Sequence, residues 1–87
     1  MSANFDDLLT FPTLFIFRII AQNQEGIVEA CNTKLKEVFT TIEGLKEIPS
    51  KSGKFLRIQI AVTALDGAQI YRGYDVLKSV EGIRMVF

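Results

Sequence analysis

Eighty-seven residues, with ten basic against ten acidic and no histidine, are enough for one domain and argue against several chemistries at once. Zero net charge removes the broad electrostatic drive on which nucleic-acid binding draws, and without histidine there is no His-ligated metal site and no His-based triad. A single cysteine, Cys31, cannot form an internal disulfide, and 48% hydrophobic with 23% charged residues is the balance of an ordinary globular chain.

The opening stretch MSANFDDLLTFP is acidic, with neither a basic start nor a long apolar run, which predicts no signal peptide. Asp6 and Asp7 are adjacent and suit a helix N-terminus better than an acid–base pair. The apolar run Leu14 to Ala21 is interrupted by Arg18 and is too short to span a bilayer. A soluble cytoplasmic protein without membrane contact is expected.

TLFIFRIIA, residues 13–21, is β-branched and aromatic and follows Pro12, which predicts a strand. The period then changes. In NQEGIVEACNTKLKEVF, Ile27, Cys31, Leu35, Val38 and Phe39 fall on one helical stripe, and Asn23 is the expected N-cap. TTIEGLKEIPS reads as a broken strand whose Pro49 marks an edge or an end. GKFLRIQIAVT alternates, with Leu56, Ile58, Ile60 and Val62 on one face and Phe55, Arg57, Gln59 and Ala61 on the other. DGAQIYRGYDVLKSV returns to a helical period through Ile70, Tyr74, Leu77 and Val80, capped by Asp66, with Tyr71 at the border of the stripe. Its Gly73 should weaken that helix by about 1 kcal/mol relative to alanine. Gly82 ends it, and IRMVF forms a last strand.

The order strand, helix, strand, strand, helix, strand predicts an α+β, ferredoxin-like βαββαβ sandwich over residues 1–87 as a single domain. Two right-handed β-α-β units closed in this way give a four-stranded antiparallel sheet with two helices on one face.

PSKSGKF, residues 49–55, invites comparison with a phosphate-gripping loop. That loop needs G-x-x-x-x-G-K-[ST] at the start of a helix. Here Gly53-Lys54 is followed by Phe55 and leads into a strand, and the first glycine of the pattern is absent. The segment is a hairpin turn in which Gly53 supplies positive φ.

LLTFPTLF at residues 8–15, PSKSGKF entering an alternating strand, and the ending IRMVF together resemble the YbeD-like family of small bacterial proteins of uncertain function. The resemblance covers nearly the whole chain except residues 40–48, where the register of the second strand stays open. It implies an ACT-like, ferredoxin-like fold and a regulatory role, since members are labelled as regulators of lipoate metabolism. It implies no catalytic residues and no cofactor. AQNQEGIVEACNTKL (21–35) is similar to the start of an amino-acid-sensing ACT domain, which implies a small-ligand turn at Asn23, Gln24, Glu25 and Gly26. The Asp and Pro usual before that glycine are replaced here. Gly26 reads equally as a packing glycine where the helix approaches the sheet, the preferred reading.

Cys31 sits mid-helix on the apolar stripe with no base available, so a buried structural thiol is expected. Lys46, Lys51, Lys54 and Arg57 gather near the hairpin and the open sheet face. With Phe55 they resemble an RNA-recognition surface, but the next residue on that face is Arg57 rather than a second aromatic, which argues against nucleic acid.

The first strand carries the most informative feature. Phe15, Phe17 and Ile19 are assigned to the helices, yet Ile16 and Ile20 are apolar on the opposite face, with Phe55, Ala61 and Val86 as expected neighbours. An exposed apolar patch marks an interaction site. Its cover would be the N-terminal segment Phe5, Leu8, Leu9 and Phe11, a second copy of the chain in a homodimer, or a partner protein. The expected protein is a non-enzymatic regulatory or interaction module with an interaction face of Ile16, Arg18, Ile20, Phe55, Arg57 and Arg84 and no metal. The alternatives are an ACT-like sensor of amino acids or lipoate and a weak RNA-binding module.

Overall fold

Alternation and helical period sort this chain into seven elements, seen in a computed structural model that describes residues 5–87. They are α1 (Phe5–Leu8), β1 (Thr13–Gln22), α2 (Ile27–Lys36), β2 (Ile42–Pro49), β3 (Phe55–Ala64), α3 (Gly67–Lys78) and β4 (Ile83–Val86). The first four residues of the stretch expected to hold no leader lie outside the described residues.

The four strands form one antiparallel sheet in the order β2-β3-β1-β4. The fold is the expected α+β, ferredoxin-like sandwich with one short helix, α1, added. Strands β1 and β3 hold the centre, pairing without a register break from Thr13↔Ala64 to Gln22↔Phe55. One face of that pairing is the core. Phe17, Ile19 and Ala21 from β1 and Leu56, Ile58, Ile60, Val62 and Ala64 from β3 are buried under α2 and α3, which contribute Ile27, Cys31, Leu35, Ile70 and Leu77. Each large side chain fully buried there contributes roughly 1.5–3 kcal/mol. Strand β2 lies at the edge, ends at Pro49, and is exposed beyond Ile42.

The helix termini differ from expectation at one end and agree at the other. Asp66 caps α3 as expected, its carboxylate accepting from Gln69 N–H at 2.9 Å. The carboxylate of Asp6 accepts from Gly67 N–H at 2.8 Å, so α1 is fastened to the start of α3. Asn23, however, does not cap α2. Gly26 does, at φ +83° and with no side-chain cap bond, and α2 runs only from Ile27 to Lys36. The chain makes a turn between strand and helix that only a left-handed residue closes at low cost. Gly26 is therefore conformational rather than a packing glycine, since a Cβ there would meet nothing within 4 Å. Val38 and Phe39 lie past the end of α2 yet stay on its apolar side, buried, with both amides bonded to the Leu35 carbonyl.

The hairpin of Ser50 to Phe55 is the expected turn. Gly53 has φ +77°, its amide donates to the Ser50 carbonyl at 3.0 Å, and Ser50 N–H donates to the Phe55 carbonyl at 2.9 Å.

Cys31 is buried, as expected, and burial pushes its thiol from the ordinary 9.0 up to about 11. A thiol whose folded pKa is raised stays protonated while the unfolded chain ionises. Stability is thus unaffected below about pH 9 and falls between about pH 9 and about pH 11, where the unfolded state binds fewer protons. Alkylation near neutral pH is expected to be at least tenfold slower, roughly, in the native protein than in urea. Part of the alkaline loss of stability should vanish in Cys31→Ala. Equal labelling rates in native and unfolded protein would contradict the burial.

Candidate functional site

The sheet has a second face, opposite the helices, and cross-strand register fixes what stands on it. One row across the four strands is Lys46, Gln59, Arg18 and Phe87; the next is Ile48, Arg57, Ile20 and Met85. Phe87 joins the first row through paired backbone bonds with Arg18, at 2.7 and 3.1 Å. A third row pairs Gly44, Ala61 and Ile16, and Phe55 stands opposite Gln22 at the hairpin end. Ile16 and Ile20 are half-buried and stand outside the hydrophobic core, as expected for this face. Phe55, Met85 and Phe87 are 39%, 50% and 52% exposed.

The last strand corrects the sequence-based map. Strict alternation over IRMVF places Arg84 and Val86 on one face. The register instead shifts between Ile20↔Met85 and Ala21↔Ile83, so β4 contains a bulge with Arg84 as its extra residue. Val86 therefore lies opposite buried Ile19 and packs against the core, not on the open face. Met85 and Phe87 take the open-face positions, and neither was identified from sequence. A bulge leaves no trace in apolar spacing, so only the cross-strand pairing shows it.

One of the three expected covers is excluded. The N-terminal segment does not lie on the open face. Phe5 packs on the helix side, with its ring 5.7 Å from Phe15, 5.0 Å from Tyr71 and 6.4 Å from Tyr74, while Leu9 and Phe11 pack against the core cluster. Among the described residues, no helix or loop element covers the face that carries Ile16 and Ile20.

Charge in the middle rows of this face has one sign. Lys46 and Arg18 flank Gln59 from the neighbouring strands, and Arg57 follows one row along β3. Adjacent strands lie about 4.8 Å apart and successive rows about 6.8 Å, so the three cations surround one amide. Beside Arg18 and Arg57, on the side away from Lys46, a hollow of about 140 Å³ is lined by Arg18, Ile20, Arg57, Gln59 and Phe87. The ion pair found among the described residues, Lys34–Glu37, is elsewhere, on the surface of α2 and the turn after it. Glu43, near the far end of the face, accepts from Thr41 at 3.0 Å and Thr63 at 3.1 Å.

The residues of the candidate ligand turn serve as joints. Asn23 donates from its side chain to the Gly53 carbonyl at 3.0 Å and from its backbone to Lys54 at 3.0 Å, tying the turn to the hairpin. The Gln24 side chain reaches the Glu81 carbonyl at 3.4 Å and lies against Gly82, whose φ is +96°. Gly26 faces an open groove of about 520 Å³ between α2 and the end of α3, lined by Ala30, Thr33, Ser79 and Val80.

Comparison with known proteins places this geometry. The chain is similar in fold to protein HP0495 from H. pylori, solved in solution, at 14% identity and TM-score 0.76, covering 91% of this chain and 85% of that one. It is similar to the uncharacterized protein TM1266 from Thermotoga maritima at 17% identity and TM-score 0.63, covering 85% and 92%. It is also similar to the ACT domain from GTP pyrophosphokinase of Chlorobium tepidum, at 20% identity and TM-score 0.62, covering 85% and 94%. These likenesses concern the fold, and they make it ACT-like. No curated protein matches the sequence. Among the described residues no helix is long and apolar enough to cross a membrane. Residues 6–87 match the family described as protein of unknown function (DUF493), which is the YbeD-like family, and the chain belongs to it.

Proposed function

We propose that this protein is a non-enzymatic regulatory or interaction module that docks a partner protein through the open face of its sheet. One observation carries this reading: Ile16, Ile20, Phe55, Met85 and Phe87 form an apolar surface that no described element of the chain covers. Contiguous apolar surface of this kind marks interaction sites in soluble domains. In docking, Ile16, Ile20 and Phe55 bury against the partner, and Arg18 and Arg57 set orientation through charge-assisted contacts. Arg84, the extra residue in the bulge of β4, is exposed next to Met85 in the chain. The buried, raised thiol of Cys31 and the absence of histidine support a role without catalysis.

The Ile20→Ser/Phe55→Ser double variant tests the reading. The partner is captured from the native host, identified by mass spectrometry and recombined with this protein from purified components. The variant should keep its far-ultraviolet circular dichroism and lose about tenfold or more in affinity. Unfolding of the variant would show that the face is part of the core, and unchanged affinity would place docking elsewhere. Sedimentation of the wild type alone tells whether the partner is a second copy. Titration with amino acids and with lipoate, read from amide shifts, tests the sensor alternative and the lipoate link together. A sensor must respond at residues 22–28.

A further inference from the structure

We infer that the occupant of the open face is an extended protein segment that alternates acidic and apolar side chains along one of its faces, with a carboxylate seated at Arg18 and Arg57, near Lys46. This deepens the docking reading and rests on it. The register places Lys46 and Arg18 on either side of Gln59, and Arg57 beside it on the same strand. Among the described residues, no ion pair or side-chain hydrogen bond to these three cations is formed. Cations gathered without an ion-pair partner repel one another, and a bound carboxylate relieves that repulsion. The guanidinium fork suits a carboxylate in two-point contact, the Gln59 amide adds a donor, and the hollow of about 140 Å³ has room for one such group.

The neighbouring row supplies the other half of the pattern. Ile48, Ile20 and Met85 flank Arg57, and Phe87 closes the end of the cationic row. An occupant must therefore present apolar groups about one row, roughly 7 Å, from its carboxylate. In an extended chain, residues i and i+2 on one face have that spacing.

Other occupants fit less well. In a two-fold dimer the same patch meets itself. Three cations would then face three cations, with Glu43 the acidic group at hand and already bonded to Thr41 and Thr63. A polynucleotide would draw on far more positive charge than a chain of net charge zero offers. Phe55 and Phe87 also stand two strands and two rows apart, not as an alternating stacking pair.

The test uses the full-length protein and three probes: a ten-residue peptide of Glu-Ser-Leu-Ser repeats, which sets glutamate and leucine two residues apart on one face, its counterpart with glutamine for glutamate, and oligouridylate. Amide and arginine side-chain shifts are followed by NMR. The glutamate peptide should move the signals of Arg18, Arg57 and Gln59 and bind about tenfold more tightly than the glutamine peptide. That advantage should shrink with added salt and disappear in Arg18→Gln/Arg57→Gln. Arg18→Lys/Arg57→Lys, which keeps the charge without the fork, should retain part of it. Equal affinity for the two peptides, dependent on Ile20 and Phe55, would overturn carboxylate recognition and leave docking standing. Absence of shifts on this face up to millimolar peptide, tighter binding of oligouridylate, or a dimer that buries the face would each overturn the inference. Free acetate binding as well as the peptide would reduce the site to a small-anion site and overturn it too.

Discussion

Phe17→Ala is expected to leave a chain that barely folds. The Phe17 ring is fully buried and is the hub of the aromatic cluster, with ring centres 5.0 Å from Phe15, 5.1 Å from Tyr74 and 5.9 Å from Phe39. Truncating a buried phenylalanine costs about 3–5 kcal/mol in transfer and cavity terms. Domains have total stabilities of about 5–15 kcal/mol, and short chains sit toward the low end. Loss of the ring also loosens Phe5, which reaches the cluster through Phe15 and Tyr74 and holds α1 in place. Urea unfolding followed by circular dichroism should show a midpoint lowered by about 2 M or more, taking a slope of about 1 kcal/mol per M for a small domain. A drop equivalent to less than about 1 kcal/mol would mean that the surrounding side chains collapse into the gap, and that the ring is not the hub.

Gly73→Ala is the second, and here two physical effects have opposite signs. Helix propensity alone favours alanine by about 1 kcal/mol in the interior of α3. Packing forbids it. A Cβ at position 73 would overlap Cζ of Phe17 and lie 3.1 Å from both Cε1 and Cε2. The ring cannot step aside, because Phe15, Phe39 and Tyr74 hold it. Overpacking of this kind costs about 1–3 kcal/mol and occasionally more, so net destabilisation of about 2 kcal/mol is expected despite the better helix former. Phe17→Leu/Gly73→Ala should be more stable than the sum of the two single changes by about 1 kcal/mol or more, since the smaller side chain vacates the space. A stabilised Gly73→Ala protein, or strictly additive single changes, would show that the helix does not lie against the ring.

The same pair shows how far the residues could be read in order. The period through Ile70, Tyr74 and Leu77 was enough to expect a helix with its apolar side inward, and α3 has that side inward. The period could not show why a glycine interrupts it. The reason is the ring of Phe17, 56 positions away in the chain. Asn23 illustrates a similar limit. Asparagine before a helical stripe is a reasonable cap, but its side chain is drawn to the Gly53 carbonyl of the hairpin. That competing partner is visible only once the sheet brings residues 23 and 53 together.

In the candidate site, Ile16, Arg18, Ile20, Phe55 and Arg57 were legible because they belong to two strands of unbroken alternation. Met85 and Phe87 were not, and Val86 was assigned to the wrong face, because one extra residue in β4 reverses the phase of everything after it. The N-terminal aromatics could be recognised as needing burial. Which side of the sheet would receive them was not legible, and Asp6 at the Gly67 amide and Phe5 against Tyr71 decide it.

By itself, the order of residues determined the alternation of β1 and β3, the apolar sides of α2 and α3, the hairpin turn and the α+β class. These follow from the two-residue and 3.6-residue periods that covalent geometry imposes locally. The tertiary structure decided which face α1 covers, where β4 changes phase, and that Lys46, Arg18 and Arg57 gather around Gln59. Those outcomes depend on register and close contact between distant segments, and such contacts form only when the sheet and its helices pack together.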